Sequence, residues 1–324
     1  MSAVVSFNLA VGEKFAALIL NRARLRGAIQ PMHLGKDDWL LPSPPIALQE
    51  HWLRWVGEVR SRAIEESNFW LVSKIPSSAP SERNAETKAI WERVHALAGA
   101  LVLTGPLWFQ DGFVVAGANV GGTVEVHQFA DMSPRYRVSN GERNVWMIPT
   151  RVPLLARIVA GLDEVLPRED LKRVTRGINT FLRGLQRGYA DARLHQFVRS
   201  LEGVIKPEIG ASRRQFVHRG QTFTGARPDL ETILGECFDI RSQVEHLHDP
   251  EEVLAYLPED QGRERLLLHV RRMETLCRNV YTQLCVSSTH RDLFRDDIID
   301  GFWKRPDHER TTLWGQPLDI AQIA

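Results

Sequence analysis

Leu230-Glu231-Thr232-Ile233-Leu234-Gly235-Glu236-Cys237-Phe238-Asp239-Ile240-Arg241-Ser242-Gln243-Val244-Glu245-His246-Leu247-His248-Asp249-Pro250 is the stretch that sets the fold class. Its apolar residues Leu230, Ile233, Leu234, Cys237, Ile240, Val244 and Leu247 recur at steps of three and four, the period of a helix with one apolar face. Pro250 stops that helix, because a proline steers the residue before it out of the helical region. Three more stripes of this kind flank it: Leu171, Val174, Ile178, Leu182, Leu185 and Tyr189; Leu194, Phe197, Val198, Leu201 and Ile205; and Leu266, Val270, Met273, Cys277, Val280 and Leu284. Four amphipathic helices on short connections predict a helical bundle over 165–290, and no strand pattern occurs beyond Pro153.

N-terminal to the bundle the period changes. Trp52, Trp55, Val56 and Val59 at helical spacing predict a helix over 46–59, and Ile90, Val94, Leu97 and Leu101 predict another that ends before Gly105-Pro106. Between Phe113 and Ile148 the runs Phe113–Val115, Val124–Phe129, Arg135–Val138 and Asn144–Ile148 read as strands. Asn140-Gly141 is a hairpin signal, and Gly117-Ala118-Asn119-Val120-Gly121-Gly122 reads as a turn, since no Lys-Ser/Thr follows to make a phosphate loop. The expectation is a mainly α protein: an α+β domain with a small antiparallel sheet over 1–160, the bundle, and an extension over 291–324 that either packs back or forms a tail. Trp39, Trp52, Trp55 and Trp70 are expected in the core.

The 324 residues suggest roughly two domains. Forty-one Lys plus Arg against 40 Asp plus Glu leave a net charge of +1, so no global field draws nucleic acid or an anionic membrane and any such binding is local. Charge is uneven within the bundle: residues 165–220 carry 12 basic against 5 acidic side chains, and 221–260 carry 2 against 10. The two segments either neutralise one another, within the chain or across a dimer, or leave a basic groove for a polyanion. Cys237, Cys277 and Cys285 make neither a disulfide framework nor a zinc ribbon and point to a reducing compartment. The longest run without a charged side chain, Val94–Gln110, is shorter than the ~20 residues of a membrane span. The start of the chain has the reverse of a secretory signal's charge order, so a cytoplasmic protein beginning at Met1 and without a membrane partner is expected.

Chemistry gathers at one helix end. Arg241 lies four residues after Cys237, beside the apolar stripe, where a guanidinium requires a partner: a carboxylate such as Glu202 or Asp239, or a phosphate brought by a ligand. His246 and His248 follow. On a strand His-x-His would suit a metal, but on a helix the two rings diverge by about 200°, so neither a metal nor another cofactor is expected. Arg213 and His218 repeat the spacing of Arg241 and His246; lying between Gly210 and Gly220 with no apolar stripe through them, they are set aside.

The run Cys237-Phe238-Asp239-Ile240-Arg241-Ser242-Gln243-Val244-Glu245-His246 resembles the signature helix of HEPN-domain proteins, in particular the ApeA-like branch, in which an Arg is followed after four to six residues by a His. The resemblance covers about 165–290, with a helix holding Phe197, Leu201 and Glu202 before the signature and an Arg-rich helix after it. It implies metal-independent cleavage of RNA by a toxin or phage-defence effector, a homodimer whose two motifs share a cleft, and a protein or ligand trigger acting through the N-terminal domain. Arg241 then holds the phosphate, where charge grows in the transition state. An imidazole, with an ordinary pKa near 6.5, takes the proton of a ribose 2′-hydroxyl. The resemblance puts His246 in that role; ideal helix phase favours His248, which returns to within about 20° of Arg241. The alternative is a non-catalytic bundle that binds RNA or a protein, with Arg241 tied to a carboxylate and the histidines capping the helix.

Overall fold

The computed structural model describes residues 7–132, 147 and 149–323. The chain divides into two compact units, 1–162 and 163–324.

Unit 1 is built on a six-stranded antiparallel sheet in the order β2-β3-β4-β1-β5-β6. Its strands are β1 (Glu13–Asn21), β2 (Met32–Gly35), β3 (Asp38–Leu41), β4 (Ser67–Pro76), β5 (Asp111–Val120) and β6 (Thr123–Asp131). The helices are α1 (Glu50–Val56), α2 (Glu58–Glu65), α3 (Ala85–Leu103) and the first part of α4 (Val152–Val165). Phe15, Ala17 and Ile19 of β1 join Trp70, Val72, Phe113, Val115 and Val126 in one core with Val56, Ala63 and Ile64 of α1 and α2. The opposite face of β1 meets α3, so Phe15 through Leu20 are all fully buried. A strand covered on both faces reads as a continuous apolar run and not as an alternation, which is why β1 and β4 escape the period-two pattern.

Of the four expected strands, Phe113–Val115 and Val124–Phe129 lie within β5 and β6, joined by a two-residue hairpin at Gly121-Gly122, both with positive φ, while Gly117–Val120 of the expected turn belong to β5. Arg135–Val138, the Asn140-Gly141 turn and Asn144–Ile148 fall outside the described residues, save for Met147, which bridges Leu25. The single helix expected over 46–59 is two, because Gly57 adopts φ +92° between α1 and α2. Trp70 is fully buried and Trp39 and Trp52 partly so, but Trp55 is 60% exposed, a correction to its expected place in the core.

Unit 2 is helical: α5 (Lys172–Leu185), α6 (Ala190–Ile205), α7 (Ser212–Thr224), α8 (Pro228–Glu245), α9 (Glu259–Val286), α10 (Ser288–Leu293), α11 (Ile299–Trp303) and α12 (Asp307–Trp314). The four stripes form α5, α6, α8 and α9, except that Tyr189 of the first lies beyond the end of α5 and is exposed. Helix α6 lies against α5, α8 and α9. It meets α5 at two glycines, where a Cβ on Gly203 would stand 3.2 Å from the Gly177 Cα. Ser200 Oγ donates to the Gly177 carbonyl at 2.8 Å, and Tyr281 of α9 donates to the Ser200 carbonyl at 2.5 Å. These contacts fix the rotation of α6 and thereby the direction of its polar face. The segment after 290 packs back: Phe294, Trp303 and Trp314 close around Phe223 of α7, with ring centroids 4.7–6.0 Å from it.

Helix α7 is a correction, since the segment between Gly210 and Gly220 offers no stripe. Its buried side is Phe216, Val217, Gly220, Thr222, Phe223 and Thr224, in which a glycine and two threonines stand where larger apolar residues would announce a helix. Gly220 is small because Leu234 of α8 packs against it, 3.1 Å from where a Cβ would sit.

Candidate functional site

Helix α6 carries His195, Arg199 and Glu202 at positions i, i+4 and i+7, so all three lie on one face. Arg241 and Glu245 do the same on α8 at i and i+4, and the two faces meet. Arg241 Nη2 lies 3.3 Å from Glu202 Oε2 and 3.7 Å from Glu245 Oε2. Glu245 in turn lies 2.6 Å from His195 Nε2 and 3.5 Å from Arg199 Nη1. Three basic groups thus face two carboxylates.

The Arg241 and Glu202 side chains are 18% and 17% exposed, and the guanidinium rests 5.7 Å from the centre of the Phe238 ring. Its Nε is buried without a hydrogen-bond partner. Of the two carboxylates named in the sequence, Glu202 is the partner; Asp239 projects to the other side of α8 and accepts a two-pronged pair from Arg213, at 2.7 and 2.8 Å.

The two carboxylates titrate apart. Burial raises the Glu202 carboxyl, and the nearby Arg241 and Arg199 charges only partly offset it. The Glu245 carboxyl is held below the ordinary range, chiefly by the His195 hydrogen bond and then by Arg241 and Arg199. Neighbouring acids pushed in opposite directions are what proton-transfer sites commonly contain, although ion-pair networks produce the same pattern.

Helix α8 ends at Glu245. His246 caps it, and Leu247 turns left-handed at φ +59° with its side chain 94% exposed, so Leu247 does not continue the apolar stripe. Ideal helix phase therefore stops before His248. Both histidines are exposed, with rings 6.2 Å apart, and His248 folds back so that its Nδ1 meets Gln243 Oε1 at 2.9 Å. No hydrogen bond or ion pair among the described residues ties either of them to Arg241. The imidazole that enters the Arg241 network is His195, which the sequence reading passed over. Its signal was present in the i, i+4, i+7 spacing of His195, Arg199 and Glu202, but a polar face on a helix is ordinarily a solvated one.

Two other polar clusters occupy this unit. Glu236 of α8 is ringed by donors: Tyr256 at 2.6 Å, His269 at 2.7 Å and Arg265 at 3.0 Å. Burial works to raise the Glu236 carboxyl, but these partners hold it down at about 2. A cavity of about 1010 Å³ lies along α7, lined by Arg213, Arg214, His218, Arg219, Glu231 and Trp303 among others. Most of its cations are engaged: Arg213 with Asp239, His218 with Asp307 at 3.0 Å, and Arg219 with the carbonyls of Ile205 and Lys206 at 2.9 and 2.6 Å.

Among the described residues no helix is long and apolar enough to cross a membrane. No family model, curated protein or solved structure matches the chain.

Proposed function

We propose that the meeting polar faces of α6 and α8 form a substrate groove, the site of a metal-independent endoribonuclease of HEPN type and the C-terminal part of a toxin or phage-defence effector. The observation that carries this reading is the state of Arg241. It is half-buried, stands at 3.3 and 3.7 Å from two carboxylates without a two-pronged pair to either, and has a buried Nε with no acceptor. A phosphodiester would draw on the Nη donors that the two carboxylates hold only loosely, since phosphate suits the planar fork of a guanidinium. His246, or His248 in its place, stands at the exposed end of α8 and serves proton transfer. On this reading α5, α6, α8 and α9 would be the HEPN-like bundle that the signature implies, and a homodimer would set two such grooves facing one another.

The chemistry follows from the groups present. An imidazole takes the 2′-hydroxyl proton, O2′ attacks the adjacent phosphorus, and Arg241 stabilises the charge that gathers on the phosphoryl oxygens. The products are a 2′,3′-cyclic phosphate and a 5′-hydroxyl; DNA, without the 2′-hydroxyl, is not cut.

A second reading rests on a specific observation as well: His246 and His248 stand outside the Arg241 network, as they would in a non-catalytic module that binds RNA or a protein. Incubating the protein with mixed RNA and a chelator, beside an Arg241→Ala, His246→Ala, His248→Ala variant, separates the two. Fragments with cyclic-phosphate ends from the parent alone support the nuclease; binding without fragments supports the module.

A further inference from the structure

We infer that His195 is a second proton-transfer group of this groove: an imidazole oriented by Glu245 that takes the 2′-hydroxyl proton while a helix-end histidine returns one to the leaving oxygen. The inference rests on the ribonuclease reading and completes it, because strand cleavage needs an acid for the departing O5′ as well as a base for O2′.

His195 has the geometry of a carboxylate-held base. Its side chain is 13% exposed, and Nε2 meets Glu245 Oε2 at 2.6 Å. Nδ1 lies 3.3 Å from the Gln196 side-chain amide. With that amide donating, Nδ1 carries the lone pair and Nε2 the proton given to Glu245. A carboxylate behind an imidazole fixes its tautomer and stabilises the cation that forms when it takes a proton. The long Gln196 contact is the one an incoming hydroxyl replaces. Glu245 of α8 meets His195 directly, and Arg241 of α8 and Arg199 of α6 reach the same carboxylate. Arg193, about 200° away around α6, is paired to Glu274 of α9 at 2.6 Å.

The step balances. The O2′ proton moves to His195 Nδ1, the O2′–P bond forms, the P–O5′ bond breaks with its electron pair on O5′, and O5′ takes a proton from protonated His246 or His248. No water, metal or redox partner is consumed. His246 immediately follows Glu245 in the chain, so the acid comes from the same helix end as the carboxylate that orients the base.

The test uses the full chain, a short RNA and an all-deoxy oligonucleotide of the same sequence that cannot be cleaved. Single-turnover cleavage is followed in chelator from pH 5 to 9, and binding of the deoxy strand by fluorescence anisotropy. His195→Gln is expected to slow cleavage at least 100-fold and abolish the rise of rate with pH on the acidic side, with binding within twofold of the parent. Glu245→Gln is expected to slow cleavage as well, with binding of the deoxy strand within twofold of the parent, because the imidazole loses the carboxylate that fixes its tautomer. A His195→Gln protein that retains the parent's acidic limb, or loses binding and rate together, overturns the role and leaves a tie between helices. A parent that releases no cyclic-phosphate ends, or an Arg241→Ala protein that cleaves like the parent, overturns the ribonuclease reading itself.

Discussion

Two arginines of the helical unit are each followed five residues later by a histidine, Arg241–His246 on α8 and Arg213–His218 on α7, and the same spacing yields opposite surroundings. Arg213 is 57% exposed and closed by a two-pronged pair with Asp239. Gly235, one turn before Asp239, leaves the room for it, since a Cβ there would stand 2.9 Å from the Arg213 Nη2. Its histidine pairs with Asp307, itself 69% exposed. Arg241 is 18% exposed, is shared between two carboxylates and has an unmatched Nε. An exposed, fully matched pair has little left to offer a ligand. A half-buried and incompletely matched guanidinium keeps Nη donors that a phosphate can compete for, in surroundings of lower dielectric than water. Spacing alone therefore does not distinguish a site from a surface ion pair.

The largest effect that tests the contrast is on catalysis. Arg241→Ala is expected to lower RNA cleavage in chelator by about 10²–10³-fold, the usual effect of deleting one donor to transition-state charge, whereas Arg213→Ala stays within twofold of the parent. Equal losses would show that the α7 cavity, and not the α6–α8 groove, handles the substrate.

Stability gives the next effect. Removing Arg241 leaves Glu202 and Glu245 facing one another without their shared cation, for which we expect a loss of about 2 kcal/mol in urea unfolding at pH 7, between exposed and buried pairs in size. Removing Arg213 frees an exposed Asp239 and is expected to cost below about 1 kcal/mol.

The smallest effect carries the most information about the groove. Because the folded-state pKa of Glu202 is raised, its ionisation opposes folding, and its contribution is lost as pH rises above the ordinary carboxylate value. Because that of Glu245 is lowered, its contribution is present above the ordinary value and lost as pH falls. Relative to the parent, Glu202→Gln should gain stability and Glu245→Gln should lose it between pH 4 and pH 7. Urea midpoints at those two pH values check the opposite signs, and parallel shifts would show that the two carboxylates share one environment.

The helices were legible because amphipathic stripes are local: α5, α6, α8 and α9 each bury one face, and periodicity reports that directly. The hairpin at Gly121-Gly122 was legible for the same reason, since positive φ at both positions asks for glycine. Strand β1 was hidden by burial on both faces. Helix α7 was hidden because its contact with Leu234 requires a glycine within the stripe. In the site, Arg241 stood out as a charge beside an apolar face, and Glu202 was one of two carboxylates named for it. His195 did not stand out, because 46 residues of chain separate it from Arg241 and nothing local marks the pairing.

The sequence by itself determined the period of α5, α6, α8 and α9, the turn glycines and the presence of a guanidinium where burial is costly, all properties that a few neighbouring residues settle through sterics and hydrophobicity. Tertiary structure alone decided which carboxylates meet Arg241, which arginine is closed and which is open, and which histidine stands in the groove. Those outcomes depend on the rotation of α6 against α8, fixed by close contacts at Gly177, Gly203 and Ser200. Such contacts join residues distant in the chain, and no local pattern encodes them.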